Sequence, residues 1–221
     1  MIPVNKVRVR RHSLWFRCLH WSIFIMGVFL TLTGMQRGGI LGIAVFPSNT
    51  FSYHVTVGIM FMAAAILAGF ELVFSGSYNW IAMRRIPLSL RYIGNETRTW
   101  FGFIAPPTEE TIRYDPARRS YIEKLIPSSI VVWWTFIAMG WALVLTGVTL
   151  AFPQLSFLYS ISDPIGNVLV GYGGYAFLLV IHRFVALALV ILVFMHIYSA
   201  FVFSLVPAMI HGYRHEAASN S

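Results

Sequence analysis

The sequence predicts an all-α membrane protein, a bundle of four transmembrane helices with both termini in the cytoplasm. Three observations carry that prediction. The 221 residues are 57% hydrophobic and 11% charged, with a mean hydropathy of +0.71, which is more apolar surface than a soluble core of this size needs. Four apolar runs are each long enough to cross a bilayer as a helix. Of the sixteen Lys and Arg, only Arg37 and Arg183 fall on the predicted outer side, the bias that sets orientation in a membrane. The net charge of +8 is therefore topological, and no nucleic-acid partner is expected. Cys18 is the single cysteine, which excludes a disulfide framework and a CxxCH attachment motif. No cleavable signal is expected, because the first apolar run is too long for a signal core. The whole chain, 1–221, reads as one membrane domain.

Residues 1–13 are basic, with Lys6, Arg8, Arg10 and Arg11 ahead of the first run, and are assigned to the cytoplasm. Helix 1 is expected over about 14–35 and opens RCLHW, placing Arg17, Cys18, His20 and Trp21 near its inner end. A short outer loop with Gly38, Gly39 and Pro47 follows. Helix 2 covers about 52–74, with His54 near its outer end, Gly58 one turn on and Glu71 towards the inner end. Gly58 either clears a helix face for a flat ligand held by His54 or serves helix packing. Residues 76–127 form a basic cytoplasmic loop with turn formers at Pro87, Asn95, Pro106, Pro107 and Pro116. It is too short and too weakly periodic for a separate domain, and short helices on the membrane surface or on a partner are expected. Helix 3 covers about 128–150. An outer segment at 152–172 contains Pro153, Asp163 and Pro164, and helix 4 spans about 174–206. His12, His211 and His215 lie in polar termini and are expected to be solvated.

Helix 4 carries His182 and His196 fourteen residues apart. At about 100° per residue they return to one face, about 21 Å apart along the axis. An imidazole inside a membrane is costly enough to suggest function. Helices 1 and 3 also align without gaps: HWSIFIMGVFLTLTGM (20–35) against WWTFIAMGWALVLTGV (133–148) shares seven of sixteen positions, including Gly27/Gly140 and the Thr-Gly pairs 33–34 and 146–147. Two hairpins of one direction imply a pseudo-two-fold axis along the membrane normal, which sets His54 opposite His182. Helices 1 and 3 run outward and helices 2 and 4 run inward. His54 and His182 therefore share the outer depth, and His20 and His196 share the inner one. Zinc would need further sulfur or carboxylate ligands that these depths lack. Two axial imidazoles on a haem iron fit better and leave no vacant position, which is the chemistry of an electron carrier. Arg183, beside His182, is placed either to pair with an outer haem propionate or to snorkel to the interface.

RCLHW and LTGM in helix 1, HVTVGI in helix 2, LTGVTLAFP after helix 3 and IHRFVALALVILVFMHIYSAF in helix 4 resemble the di-haem cytochrome b (gamma) subunit of respiratory formate dehydrogenase, over about residues 17–212. Related subunits serve membrane nickel–iron hydrogenases and thiosulfate reductases. The resemblance implies two b haems, the outer on His54 with His182 and the inner on His20 with His196. It also implies a quinone pocket (menaquinone or ubiquinone) near the inner haem, using the segment before helix 3. There Asp115 in RYDPARRS stands where the family has asparagine, and about ten extra residues precede helix 3. Arg17 is a second quinone candidate by depth. Asp115 is open to two roles, a proton route to reduced quinone or a turn residue in Asp-Pro.

The resulting expectation is an inner-membrane cytochrome b that carries electrons from an iron–sulfur partner to the quinone pool. A molybdopterin or nickel–iron subunit, not this chain, would oxidise the primary substrate. Its rivals are a stand-alone haem b quinone oxidoreductase and a four-helix membrane anchor or small transporter whose histidines bind nothing.

Overall fold

The computed structural model describes residues 6–40, 42, 44–46, 48–104, 112–152, 154 and 157–218. Pro47, Pro106, Pro107 and Pro153 lie outside the described residues. Among the described residues, four helices are long and apolar enough to cross a membrane: α1 (Leu14–Arg37), α2 (Thr50–Phe74), α5 (Ser128–Ala151) and α7 (Gly174–Val202). Three of them match the predicted spans within about two residues. The fourth stops at Val202, short of the expected end near 206. Ser204 adopts a left-handed φ of 51°, and a separate short helix, α8 (Val206–His211), begins beyond it. Pro207 sits in the first turn of α8, where a residue without an N–H costs nothing.

The chain divides into two compact units. One comprises Cys18–Gly69 and Phe136–Ser199, most of each of the four long helices together with α6 (Phe157–Val170). Its apolar side chains are largely exposed. On α7, Phe184, Leu187, Ile191, Phe194 and Tyr198 form one stripe, each more than half exposed, at the 3–4-residue spacing of a single helix face. In water each would forgo about 1.5–3 kcal/mol of burial; against lipid tails nothing is lost.

Helix α6 replaces the loop expected over 152–172. Asp163 and Pro164 both lie inside it, and the helix continues through Pro164. Two glycines explain how α6 lies against the start of α7. A Cβ on Gly166 would collide with Phe177, and one on Gly173 would collide with the backbone of Asp163. Tyr159 also donates to the carbonyl of Thr149 at 3.0 Å, tying α6 to the end of α5.

The other unit comprises Met1–Arg17, Phe70–Thr135 and Ala200–Ser221. The expected short helices are present as α3 (Tyr78–Ile81), a 3₁₀ turn (Met83–Arg85) and α4 (Ile86–Trp100). A small sheet was not expected. Its strands are β1 (Lys6–Arg10), β2 (Arg113–Asp115), β3 (Ser120–Glu123) and β4 (Tyr213–Ala218), in the order β1-β4-β2-β3. β1 pairs antiparallel with β4, from Lys6 opposite Ala217 to Arg10 opposite Tyr213. β4 pairs parallel with β2, and β2 with β3 forms a hairpin. The two chain ends are thus neighbouring strands. His211 and His215 are exposed as expected, whereas His12 is half-buried and stacks on Phe16, with ring centres 5.1 Å apart.

The start of α1 is fixed in this unit. The Ser13 hydroxyl accepts the Phe16 N–H at 3.1 Å, an N-cap bond, and donates to Glu71 at 3.0 Å. Glu71 is therefore tied to this cap.

Candidate functional site: two histidine pairs

All four intramembrane histidines fall in the helical unit, and they meet in two pairs. His20 on α1 faces His196 on α7, with ring centroids 6.3 Å apart and the planes inclined by 52°. His54 on α2 faces His182 on α7, with centroids 6.4 Å apart and an angle of 70°. These are the pairs expected from depth alone. His20, His54 and His182 are half-buried, and His196 is exposed.

The spacing tests what such a pair can hold. A metal–imidazole bond of about 2.0–2.1 Å on each side, with about 1.1 Å from nitrogen to ring centre, sets two rings about 6.3 Å apart across one ion. Both pairs match that separation. Among the described residues no three His, Cys, Asp or Glu come together as a metal cluster, so each pair offers two ligands and no more. Two opposed imidazoles are the axial set of a haem iron, whose other four positions the macrocycle fills.

The sequence pointed to the histidines but not to what holds them. Thr33 Oγ1 lies 2.8 Å from His54 Nδ1, and Thr146 Oγ1 lies 2.8 Å from His182 Nδ1. These threonines belong to the Leu-Thr-Gly triplets repeated in α1 and α5. The glycines of the triplets lie against the same rings. A Cβ on Gly34 would stand 3.5 Å from His54 Cε1, and one on Gly147 would stand 3.2 Å from His182 Cε1. The signal was therefore visible as a repeat, and only its purpose was not. The other pair is supported differently. Phe136 on α5 meets His196 edge to face at 5.7 Å, Trp21 meets His20 the same way at 5.5 Å, and His20 Nδ1 is buried without a hydrogen-bond partner.

The remaining predicted residues divide. A Cβ on Gly58 would stand 3.9 Å from Leu30 Cδ2, so packing alone does not require glycine there. Arg183 is exposed and sits next to His182 in α7. In the sheet-bearing unit, Arg17 donates from Nη1 to the carbonyl of Ile210, near the end of α8, and its Nε is buried without a partner. Gly212, with φ of 82°, closes α8 in the left-handed conformation that glycine adopts most readily. A side chain there would press on Arg17. Asp115 is buried, and its Oδ1 accepts the N–H groups of Ala117 at 2.9 Å and Arg118 at 3.1 Å. That is the bonding of a turn residue.

Apolar spanning helices that bring imidazoles together in facing pairs define a membrane haem protein. The chain belongs to the prokaryotic cytochrome b561 family, whose model matches residues 11–212. It is thus a multi-pass inner-membrane b-type cytochrome that works in electron transfer. No curated protein matches it.

Proposed function

We propose that the chain is the di-haem cytochrome b subunit of a respiratory oxidoreductase complex of the formate dehydrogenase type. In this role it carries electrons from an iron–sulfur partner on the outer side to the quinone pool. The observation that supports the proposal is that one helix, α7, contributes one histidine to each of two separate pairs, His182 and His196, about 21 Å apart along its axis. That distance is most of a hydrocarbon layer about 30 Å thick. When bound, each haem would supply a one-electron centre.

The chain's own residues do the holding and orienting. His54 with His182, and His20 with His196, would hold the two haems. Thr33, Thr146, Gly34 and Gly147 fix the first pair, while Phe136 and Trp21 brace the second. Arg183 is the candidate for a propionate contact beside His182. Gly58, one turn from His54, leaves room on that helix face. Quinone is proposed to approach the end of α1 that carries His20, with Arg17, one turn earlier on the same helix, as its cationic partner. Asp115 is the alternative polar group, although its turn bonds favour a structural role. Quinone oxygens need such partners in an otherwise apolar wall.

Purification from native membranes under mild detergent tests the assignment. Copurification of an iron–sulfur subunit with a molybdopterin subunit is the expected result. A nickel–iron or sulfur-compound reductase partner would place the chain in a sister complex. A chain that purifies alone and still reacts with quinol would show a stand-alone oxidoreductase and overturn the proposal.

A further inference from the structure

We propose that Thr33 and Thr146 are positioning residues for the His54–His182 pair, each accepting the Nδ1–H of its histidine and so leaving Nε2 as the metal-binding nitrogen. The inference rests on the proposal that this pair holds a haem.

Each threonine has a single hydroxyl proton to donate. Thr33 Oγ1 lies 2.8 Å from the carbonyl of Phe29 and 3.1 Å from that of Leu30. Thr146 Oγ1 repeats the arrangement with the carbonyls of Ala142 and Leu143. A carbonyl only accepts, so the hydroxyl proton is directed back along its own helix, the usual bond of a threonine inside an α-helix. What the oxygen presents to the imidazole 2.8 Å away is a lone pair. The ring nitrogen facing it must then be the protonated one, and a neutral imidazole carries only one proton.

Burial makes the arrangement firm. Thr33 is completely buried and Thr146 nearly so, so water does not compete for either oxygen. The glycine after each threonine lets the ring lie close to the helix, and at Gly147 the fit is tight enough to restrict it. The two copies arise from different helices, α1 and α5, and serve histidines 21 and 36 residues away in sequence. In both copies the same oxygen takes the same two partner types, with the imidazole nitrogen 2.8 Å away each time. His20 is the built-in contrast, since its Nδ1 is buried with no acceptor.

Orienting groups of this kind fix the tautomer and raise the basicity of the ligand. A more basic imidazole favours the oxidised, more positive iron. Loss of the acceptor should therefore shift the equilibrium of that haem towards reduction.

The test compares Thr33→Val and Thr146→Val, which keep shape and remove the oxygen, with Thr33→Ser and Thr146→Ser, which keep the oxygen. The readouts are haem content and the midpoint potential of each haem in an optical redox titration of the whole protein. In the Val variants the His54–His182 component should become several-fold more reduced at the wild-type midpoint, tenfold being 59 mV for one electron. The other component should stay put, and the Ser variants should behave like wild type. If a Val variant fails to accumulate, the Ala variant at the same position carries the comparison. Unchanged midpoints in the oxygen-free variants would overturn the proposal. Equal shifts in Ser and Val variants would also overturn it, reducing both threonines to packing. If His54→Ala and His182→Ala remove no haem from an otherwise loaded protein, the haem assignment itself fails, separately from the threonine argument.

Discussion

Arg11 and Glu216 stand 205 residues apart in sequence and 2.7 Å apart in the structure, with both side chains almost completely buried. They join the N-terminal segment to the C-terminal strand. The second Glu216 oxygen takes Arg214 at 3.0 Å, and Tyr121 donates to the first at 3.2 Å. Arg11 also donates to the carbonyl of Lys124 at 2.6 Å, so the cluster draws in the β3 end of the loop. Removing one partner from a buried pair strands the other charge, at a cost of about 3–5 kcal/mol. Glu216→Ala should therefore release both chain ends, read as proteolytic trimming of the termini in detergent. Glu216→Gln, which keeps an acceptor, should be trimmed more slowly than Glu216→Ala. Equal resistance in Glu216→Ala and wild type would mean that the β1–β4 ladder suffices alone.

The same cluster gives a pH signature. Burial, reinforced by the neighbouring Glu216 carboxylate, pushes the Tyr121 phenol up to about 12 from its usual 10. A folded-state value above the unfolded one favours the neutral phenol. The contribution is thus complete below pH 10 and is lost as pH rises towards 12. Burial, and then the charge of Arg11, moves Lys124 down from its ordinary value. Its contribution has the opposite sign, since a depressed lysine penalises the folded state below its unfolded value. Thermal melts between pH 9 and 12 (the assay range) should show an alkaline loss that Tyr121→Phe reduces. An identical loss in that variant would assign it to other groups.

The pairing of histidines makes a sharper prediction. A pyridine haemochrome assay on fully loaded protein should return two b haems per chain. His54→Ala and His182→Ala should remove the same spectral component, and His20→Ala and His196→Ala the other. Each pair closes at 6.4 or 6.3 Å, while His182 and His196 stand about 21 Å apart along α7, too far for a histidine of one pair to serve the other. Should His54→Ala and His182→Ala remove different components, the pairing is wrong.

The parts that were legible in sequence follow from this. The membrane dictates long apolar runs and charge asymmetry, so the four spans and the depths of four histidines could be read without coordinates. The sheet could not. Its strands are three to six residues long and come from three distant segments, so none carries enough alternation to be seen alone. β1 reads KVRVR, and its alternation was taken only as basic charge. The Thr-Gly pairs were visible as a repeat, but a hydrogen bond from α1 to α2 has no sequence period. Helix α6 was hidden by Pro164, a breaker by propensity that neighbouring contacts overrule.

The two glycines beside the His54 and His182 rings should differ in tolerance. A methyl on Gly34 would meet His54 at 3.5 Å, ordinary contact, whereas one on Gly147 would meet His182 at 3.2 Å, where the ring must yield by a few tenths of an ångström. Gly147→Ala should broaden or shift the His54–His182 component and lower its occupancy, while Gly34→Ala should retain both. Matching spectra for the two variants would show that His182 has slack the packing does not suggest.

The last prediction separates the two roles open to Asp115. Its Oδ1 is engaged by two backbone N–H groups, and its Oδ2 lies 3.6 Å from Arg118. Arg118 is 85% exposed, so that pair contributes little. The turn needs an oxygen acceptor, which asparagine also supplies, whereas proton transfer to quinone needs an ionisable carboxyl. Asp115→Asn should therefore preserve both fold and quinone turnover. Asp115→Ala should lose about 0.5–2 kcal/mol, the scale of a lost side-chain cap, and loosen the β2–β3 hairpin without removing either haem. The measurement is quinol-analogue turnover alongside haem content and thermal stability for both variants. A fall in turnover in Asp115→Asn, with stability and haem content at wild-type levels, would assign the carboxyl to proton delivery instead.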